Sequence, residues 1–175
     1  MVRFNGEVFK LRQGRLDEFF IELERPVYRF LLRLTGDEEL ARDLTQDTLA
    51  RGLASQKQLR ELSRFRAWLF RIAVNLWNDH CRKNRNKKEQ LQDEPQSFEP
   101  APSDLVMEQE LGEQVWKALA ELPPRQQQVM HLRIVEEMTL GEIAEVLELS
   151  NQAVRSNLAA ARKTLRVRFK NCGII

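Results

Sequence analysis

The pattern over residues 139–170 constrains the fold of this chain more than any other stretch. Thr139 stands three residues before Glu142, the capping-box spacing in which the two side chains bond free backbone N–H groups at the start of a helix. Leu149 and Ser150 then form a short turn, and Ser150 can cap a second helix. Apolar residues recur at helical spacing on both sides of this turn: Ile143, Ala144, Leu147, Val154, Leu158, Ala161, Leu165 and Phe169. The stretch predicts two helices that meet across a tight turn.

The two predicted helices differ in charge. Residues 136–148 include five glutamates and no Lys or Arg, whereas residues 151–170 include no acid. A basic helix after a tight turn is typical of a helix-turn-helix, whose second helix enters the DNA major groove with its N-terminal residues leading. The alternative is a cationic helix that packs one face and exposes the other to solvent.

Charge is segregated along the whole chain, although the net charge is only +2. Residues 64–88 carry eight bases and one acid, and residues 89–113 carry eight acids and no base. A local basic face attracts a polyanion whatever the net charge, so the pattern favours a nucleic-acid partner.

Cysteine usage and hydropathy indicate the compartment. Cys81 and Cys172 are far apart and do not make a disulfide framework. Residues 1–10 lack the hydrophobic core of a signal peptide, and no apolar run is long enough to span a membrane. We expect a protein that stays in the cytoplasm without membrane insertion.

The first part of the chain predicts two helices. Residues 16–34 indicate one amphipathic helix, or a helix pair bent near Pro26. Gly6 and Gly14 interrupt any helix pattern before it, so residues 1–16 are expected to be a short mobile or partly helical lead-in. Asp37 can cap the next helix. The predicted inner face of that helix is Leu40, Ala41, Leu44, Thr48 and Leu53, and its outer face carries Asp43, Gln46 and Asp47.

A third helix is predicted from residue 64 to about residue 83, after a polar loop at 55–63. Its predicted apolar side is Phe65, Trp68, Leu69, Ile72, Ala73 and Leu76. Arg71, Asn75, Asn78 and Arg82 share a separate stripe. Cationic and amide groups in a row suit contact with nucleic acid, and the alternative is a merely solvated stripe.

Composition divides the chain into two helical units. Three of the six prolines lie between residues 90 and 103 among acids and Ser, which predicts a linker. Ser103 can cap the following helix, Pro123 and Pro124 start the next, and Val129, Met130, Leu132 and Ile134 can bury it. We expect an all-α protein with an N-terminal domain at 1–90, an acidic linker at 91–103 and a helix-turn-helix domain at 104–175.

Four ordered segments resemble a known family: DEELARDLTQDTLARGL, FRAWLFRIAVNLWNDHCRKNRNKK, ALAELPPRQQQVMHLRIVEEMTLGEIAEVLELS and QAVRSNLAAARKTLR. In this order they resemble the blocks of bacterial extracytoplasmic-function (group IV) sigma factors of the sigma-70 family. The resemblance covers about residues 16–170. It implies an RNA polymerase sigma factor that confers promoter recognition, assists promoter melting and is not an enzyme, with an anti-sigma factor as its regulator.

The resemblance also implies three binding surfaces. The core polymerase surface, for the coiled coil of the β′ subunit, is Asp43, Gln46 and Asp47. The minus-10 DNA surface is Arg71, Asn75, Asn78, Arg82 and Lys83, with the loop at 55–63 accepting a flipped base. The minus-35 DNA surface is Gln152, Arg155, Ser156, Asn157, Arg162, Lys163 and Arg166, beside a surface that seats on the β flap.

Two features of the recognition helix depart from the family pattern. Gln152 and Ala153 stand where the family often has Gly-Thr, so we expect this protein's promoter choice to depend on them. Asn157 and Ala160 stand where the family often has basic residues, which predicts a weaker hold on phosphates.

Two other classes of function compete with this interpretation. A stand-alone helix-turn-helix transcriptional regulator would share the C-terminal pattern but needs no second nucleic-acid surface. A metal-dependent enzyme is suggested only by the adjacent His80 and Cys81, which point about 100° apart on a helix and make no metal pair by themselves. We therefore expect no cofactor and no metal.

Overall fold

The computed structural model describes residues 4–59, 61–91 and 109–171, and side chains are described for 16–59, 61–84 and 115–170. Within these ranges the chain is all helix and short turns, without a strand, which confirms the all-α fold class. The helices are α1 (Phe4–Thr35), α2 (Glu38–Ser55), α3 (Phe65–Leu91), α4 (Gln109–Ala120), α5 (Pro124–Ile134), α6 (Leu140–Leu147) and α7 (Asn151–Asn171). None of the helices in these ranges is both long and apolar enough to cross a membrane.

Helix α1 is one continuous helix of 32 residues, so the predicted interruption at Gly6 and Gly14 is wrong. Each glycine costs a helix only about 1 kcal/mol, which a long helix absorbs. Pro26 also lies inside α1. An interior proline costs about 3 kcal/mol, and the full burial of Val27 and Phe30 just beyond it offsets that cost.

The N-terminal unit, which we define as residues 4–91, packs α1 against α2 and α2 against α3. Asp37 caps α2 by accepting a hydrogen bond from Leu40 N at 3.0 Å, as predicted. The Phe65 ring lies edge-on to Phe20 with the centroids 4.8 Å apart, and it is 1% exposed. This aromatic contact ties the start of α3 to α1.

Helix α2 lies close to α1 and α3 at Gly52. A Cβ atom there would lie 2.8 Å from Phe20 Cε1 and 3.0 Å from Leu69 Cδ1. The next residue, Leu53, is 45% exposed, so its predicted place on the inner face is wrong. The helical turn brings the glycine inward, and Leu53 lies one position past the buried stripe.

The C-terminal unit, which we define as residues 109–171, packs α5 and α6 against α7. Pro124 is the first residue of α5, as predicted. The predicted burial of Ile134 is wrong, because this last residue of α5 is 57% exposed. The predicted cap at Ser103 and the predicted linker, apart from Leu91, lie outside the described residues.

The two units pack on each other through α3 and α6. Arg66 of α3 forms an ion pair with Glu136 of the α5–α6 turn, with 2.7 Å between Nη2 and Oε2. A second contact joins α1 to the C-terminal unit, where the Arg33 guanidinium lies 3.7 Å from the centroid of the Trp116 ring. Helix α3 is therefore covered on two sides, by its own unit and by the C-terminal unit.

Helix α3 also runs to Leu91, beyond the predicted end near residue 83. It carries a second buried stripe that periodicity alone did not single out: Ala67, Phe70 and Val74 are 3%, 0% and 1% exposed. At about 100° per residue, this stripe lies between Arg66 and Asn78 on the circumference of the helix.

Candidate nucleic-acid and polymerase interfaces

The turn before α7 fixes the direction of that helix. Glu148 adopts the left-handed conformation with φ 54°, which ends α6, and Leu149 N donates to Ala144 O at 2.9 Å. Ser150 then caps α7 by accepting a hydrogen bond from Ala153 N at 3.1 Å. The predicted tight turn is thus present, with a glutamate in a backbone position that glycine adopts more readily.

The capping box that begins α6 is also formed. Thr139 Oγ1 accepts a hydrogen bond from Glu142 N at 3.3 Å, and Thr139 N donates to Glu142 Oε2 at 2.8 Å. The Thr139 hydroxyl also donates to the same carboxylate oxygen at 2.7 Å, and these bonds lower the pKa of Glu142. Both ends of α6 are therefore held by specific hydrogen bonds, which positions the turn that aims α7.

The exposed side of α7 displays most of the residues predicted to bind minus-35 DNA. Val154, Leu158, Ala161 and Leu165 are buried, so the opposite side of the helix faces solvent. The predicted residues on that exposed side are Gln152, Arg155, Ser156, Arg162, Lys163 and Arg166. Within the described ranges, no ion pair engages any of the cations in this set. Their charge is available for an external anion.

Asn157 differs from the other predicted residues of α7. It is half-buried, and its Nδ2 donates a hydrogen bond to Ala153 O at 2.8 Å. This bond within the helix occupies one of the two N–H donors of the Asn157 amide. Asn151 was not predicted, yet it is exposed at the first position of α7, one turn before Arg155. Its position directly after the predicted Ser150 cap could have identified Asn151 as a leading residue of the second helix.

The predicted minus-10 stripe on α3 is divided between free and engaged side chains. Asn75 and Lys83 are exposed and Arg71 is half-buried. Arg82 pairs with Asp79, with 2.9 Å between Nη2 and Oδ1. Asn78 is engaged across the two units, because its Oδ1 accepts a hydrogen bond from Gln128 Nε2 at 3.1 Å.

The polar loop before α3 contains two short 3₁₀ turns, Gln56–Gln58 and Leu62–Arg64. Leu59 lies between them and is 4% exposed, so it anchors the loop to the core. Exposed residues flank this anchor on both sides, including Gln58 and Glu61. The loop therefore presents polar groups at the N-terminal end of the α3 stripe.

The outer side of α2 is acidic and free. Asp43, Gln46 and Asp47 are all exposed, and the described residues form no ion pair with either aspartate. On the opposite side, the Thr48 hydroxyl donates to Leu44 O at 2.6 Å, which satisfies its polar group inside the core. The three predicted core-binding residues thus form one exposed surface.

His131 lies where α5 meets α1. Its ring centroid is 5.1 Å from that of Phe30 and 6.2 Å from that of Trp116. Burial lowers the pKa of His131 to about 3, and the charges of Arg33 and Arg29 act in the same direction. This histidine is a neutral ring packed between the two units.

The described part of the chain holds no group of three or more His, Cys, Asp or Glu side chains that could bind a metal ion. His80 stacks on Trp77 with 5.9 Å between the ring centroids, and its Nε2 lies 2.8 Å from Asn84 Nδ2. The residues that suggested metal chemistry are therefore engaged in other contacts or, for Cys81, exposed alone.

Two helical units, one with a helix-turn-helix and the other with a basic and amide stripe, define a protein with two candidate nucleic-acid surfaces. Family models match both units: sigma-70 region 2 matches residues 19–87, and sigma-70 region 4 matches residues 112–165. The region 2 match covers the part that a stand-alone helix-turn-helix regulator would not need, so that alternative is not favoured.

Individual relatives of this chain are RNA polymerase sigma factors of the ECF group. The chain is 28% identical over 156 residues to the ECF RNA polymerase sigma factor SigM of Bacillus subtilis, covering 88% of this chain and 94% of SigM. It is 32% identical over 154 residues to SigE of Mycolicibacterium smegmatis, covering 86% of this chain and 60% of SigE.

The fold matches those of two solved structures, one of which is a sigma factor. RpoE of Bartonella quintana, solved with the anti-sigma factor NepR, superposes with a TM-score of 0.76 at 22% identity, covering 89% of this chain and 97% of RpoE. CnrH, solved with the cytosolic domain of CnrY, gives a TM-score of 0.65 at 22% identity, covering 91% of this chain and 90% of CnrH. The chain belongs to the sigma-70 family, in its extracytoplasmic-function group, and is an RNA polymerase sigma factor.

Proposed function

We propose that this sigma factor binds core RNA polymerase through α2, binds minus-35 DNA through α7 and assists melting of minus-10 DNA through α3. The observation that carries the proposal is the presence of separate exposed surfaces of suitable chemistry on the two family-matched units. In this proposal the protein works in the cytoplasm and performs no catalysis of its own, because the polymerase forms the RNA bonds.

The chemistry of α7 supports duplex reading. Gln152 and Arg155 are exposed near the capped start of the helix, where a helix-turn-helix contacts bases. Gln can pair with adenine and Arg with guanine, each discriminating by about 1 to 3 kcal/mol when bidentate. Arg162, Lys163 and Arg166 follow further along the helix, where we expect contacts with phosphates.

The chemistry of α3 supports binding of separated strands. Single-stranded DNA is held by cations along its backbone and by groups that stack on or bond to unpaired bases. Arg71, Asn75 and Lys83 offer such groups, and the polar loop at 55–63 lies at the start of the same helix. A flipped base at that loop would contact polar side chains around the Leu59 anchor.

The α2 surface supports docking on the polymerase. Asp43 and Asp47 lie one helical turn apart and form no ion pair with any side chain that the structure describes, so a basic surface of the β′ coiled coil is the complementary partner. The β flap would seat beside α7. An anti-sigma factor that covers these surfaces is the proposed regulator, since RpoE was solved with the anti-sigma factor NepR.

Run-off transcription tests the proposal directly. Core polymerase with the purified chain should start transcripts at specific promoters in fragmented genomic DNA, and core polymerase alone should not. If the chain fails to bind core polymerase, the proposal is wrong. If it binds single promoters without core polymerase and represses them, it acts as a stand-alone regulator instead.

A charge reversal tests the α2 assignment. Asp47→Lys should weaken core binding because it places a cation against the basic coiled coil, while the helical circular dichroism stays unchanged. Asp17→Lys on α1 makes the same change at another exposed position and should leave core affinity unchanged. Equal affinity of the Asp47→Lys chain and the wild type would remove this residue from the interface.

A further inference from the structure

The exposed side of α7 is charged on one flank and uncharged on the other. The buried residues of α7 fix the direction of the core, and each residue turns the helix by about 100°. On this geometry Arg155, Arg162 and Arg166 lie together on one side, which we call the basic flank. About 160° away around the helix lies a second side without a charged residue. We call it the neutral flank, and it consists of Ala153, Asn157, Ala160, Thr164 and Val167.

The polar side chains of the neutral flank are turned toward the helix itself. Asn157 Nδ2 and Thr164 Oγ1 each donate to the backbone oxygen four residues earlier, at 2.8 Å and 3.2 Å. Arg168 lies one turn after Thr164, at the edge of this flank, and forms an ion pair with Glu121 in the turn after α4. The neutral flank therefore offers no free cation to an external anion. The three arginines of the basic flank form no ion pair with any described residue.

The first helix of the helix-turn-helix adds no cation beside α7. In this motif the first helix crosses the DNA backbone. Residues 136–148, which include α6, carry five glutamates and no Lys or Arg, and Glu148 is exposed in the turn before α7. The Thr139 hydroxyl already accepts a hydrogen bond from Glu142 N at the start of α6. The cations that this motif can offer to duplex DNA are therefore those of α7.

A helix in the major groove has one DNA strand along each of its flanks. The groove is about 12 Å wide and admits a single α-helix, so side chains on opposite flanks reach phosphates of opposite strands. Lys and Arg side chains supply the ionic contacts with those phosphates. The basic flank can form such contacts with one strand. The neutral flank places small, uncharged side chains beside the other strand.

We propose that α7 forms ionic contacts with the phosphates of only one strand of the minus-35 duplex, through the basic flank, and meets the other strand without charge. This inference rests on the proposed function of α7 and deepens it by assigning the ionic contacts to one strand. Lys163 lies about 80° from each flank, near the middle of the exposed side. It adds to the attraction for DNA without favouring either strand.

Neutral phosphates placed in one strand at a time test the asymmetry. Methylphosphonate linkages remove the charge of chosen phosphates in the minus-35 element, and the affinity of the complex of core polymerase and the full chain is measured for each DNA. Neutral linkages in one strand should weaken binding several-fold. The same change in the other strand should leave the affinity nearly unchanged. Equal losses for the two strands, or no loss for either, would overturn the proposal.

Removal of charge from α7 assigns the sensitive strand to the basic flank. A chain with Arg162→Ala and Arg166→Ala should bind unmodified DNA less tightly than the wild type, and neutral linkages in the sensitive strand should cause little further loss. Lys163→Ala removes the central cation and should preserve the difference between the strands. Full sensitivity to the neutral linkages in the double variant would contradict contact through the basic flank.

Addition of charge to the neutral flank gives the complementary test. Ala160→Arg should tighten binding several-fold and steepen the slope of log binding constant against log salt concentration by about 1. It should also make binding sensitive to neutral linkages in the second strand. Ala160→Gln is the matched control, because it adds a long side chain without charge at good helix propensity and should leave the slope unchanged. An Ala160→Arg chain that stays insensitive to the second strand would overturn the position of that strand beside the neutral flank.

Unmodified promoter DNA separates a failure of this inference from a failure of the proposed function. If the complex binds no promoter specifically and supports no run-off transcription, the proposed function is wrong and the one-strand contact fails with it. If the complex binds the promoter and both strands respond equally, minus-35 binding stands and only the one-strand contact is wrong.

Discussion

Helices α3 and α7 are both long and basic and both carry predicted DNA contacts, yet the structure surrounds them differently. Helix α7 buries one stripe and leaves its polar side in solvent. Helix α3 buries its predicted apolar side and also the stripe of Ala67, Phe70 and Val74. The comparison teaches that the predicted contacts of α7 mostly face solvent, whereas part of α3, including Asn78, is already engaged by other parts of the protein.

The largest effect should come from the covered side of α3. Phe70 is fully buried, with its ring centroid 5.3 Å from that of Phe30. Phe70→Ala should lower the free energy of unfolding by about 3 to 5 kcal/mol, because it removes a buried ring and leaves a cavity. Val167→Ala on α7, where Val167 is 54% exposed, should change it by less than about 0.5 kcal/mol. Urea denaturation measures both free energies of unfolding. Equal losses for the two variants would contradict the difference in burial between these sides of α3 and α7.

Substitutions on the exposed side of α7 should change how well the protein discriminates between promoter sequences. If Arg155 reads a base, Arg155→Ala should cost about 1 to 3 kcal/mol at the preferred promoter and relax discrimination at one position. Arg166→Ala should instead weaken binding to all promoter sequences alike. It should also reduce, by about 1, the slope of log binding constant against log salt concentration. Affinity of the sigma–polymerase complex for a promoter library at several salt concentrations measures both. A uniform loss for Arg155→Ala would make it a phosphate contact.

Acid should weaken the contact between the units through His131. Because its folded pKa is about 3 and its ordinary value is 6.5, the unfolded chain binds one more proton than the folded chain between these values. This group's contribution is complete above about pH 6.5 and is lost as the pH falls toward 3. The expected loss between pH 7 and pH 5 is about 2 kcal/mol.

Denaturation of two histidine variants at both pH values measures that contribution. His131→Gln should remove this part of the pH dependence, whereas His80→Gln, at the half-buried ring beside Trp77, should retain it. The same pH dependence in the wild type and in His131→Gln would contradict the burial of a neutral ring between the units.

The smallest effect should occur inside the N-terminal unit, at Gly52. Gly52→Ala gains up to about 1 kcal/mol of helix propensity but places a methyl group 2.8 Å from Phe20 Cε1. Overpacking of this kind costs about 1 to 3 kcal/mol, so we expect a net loss of about 1 kcal/mol. The exposed Ala50→Gly change on the same helix measures the propensity term separately. A net gain in thermal stability for Gly52→Ala would show that the Phe20 ring moves freely.

Local sequence signals predicted the helices well where capping and periodicity act within a few residues. The Thr139–Glu142 capping box, the Asp37 cap and the proline start of α5 all follow from side chains next to the backbone groups that they satisfy. The misplaced Leu53 and Ile134 lie at helix ends, where a neighbour decides which side is covered. The continuous α1 shows that tertiary burial can outweigh the cost of an interior proline.

Contacts between the units could not be predicted in the same way. Gln128 and Asn78 are 50 positions apart, and Arg66 and Glu136 are 70 positions apart. Periodicity within one helix carries no information about such pairs. It could not identify Gln128 as the partner of Asn78, and the count of five glutamates in residues 136–148 did not distinguish Glu136, whose carboxylate is buried.

Permanganate reactivity of minus-10 thymines in complexes of promoter DNA, core polymerase and this chain tests the two-surface account most directly. The account predicts reactive thymines with the wild type, weak reactivity with Asn75→Ala although the DNA remains bound, and normal reactivity at saturating DNA with Arg155→Ala. Absence of reactive thymines with the wild type, or equal defects in the two variants at saturation, would contradict the division of melting and duplex binding between α3 and α7.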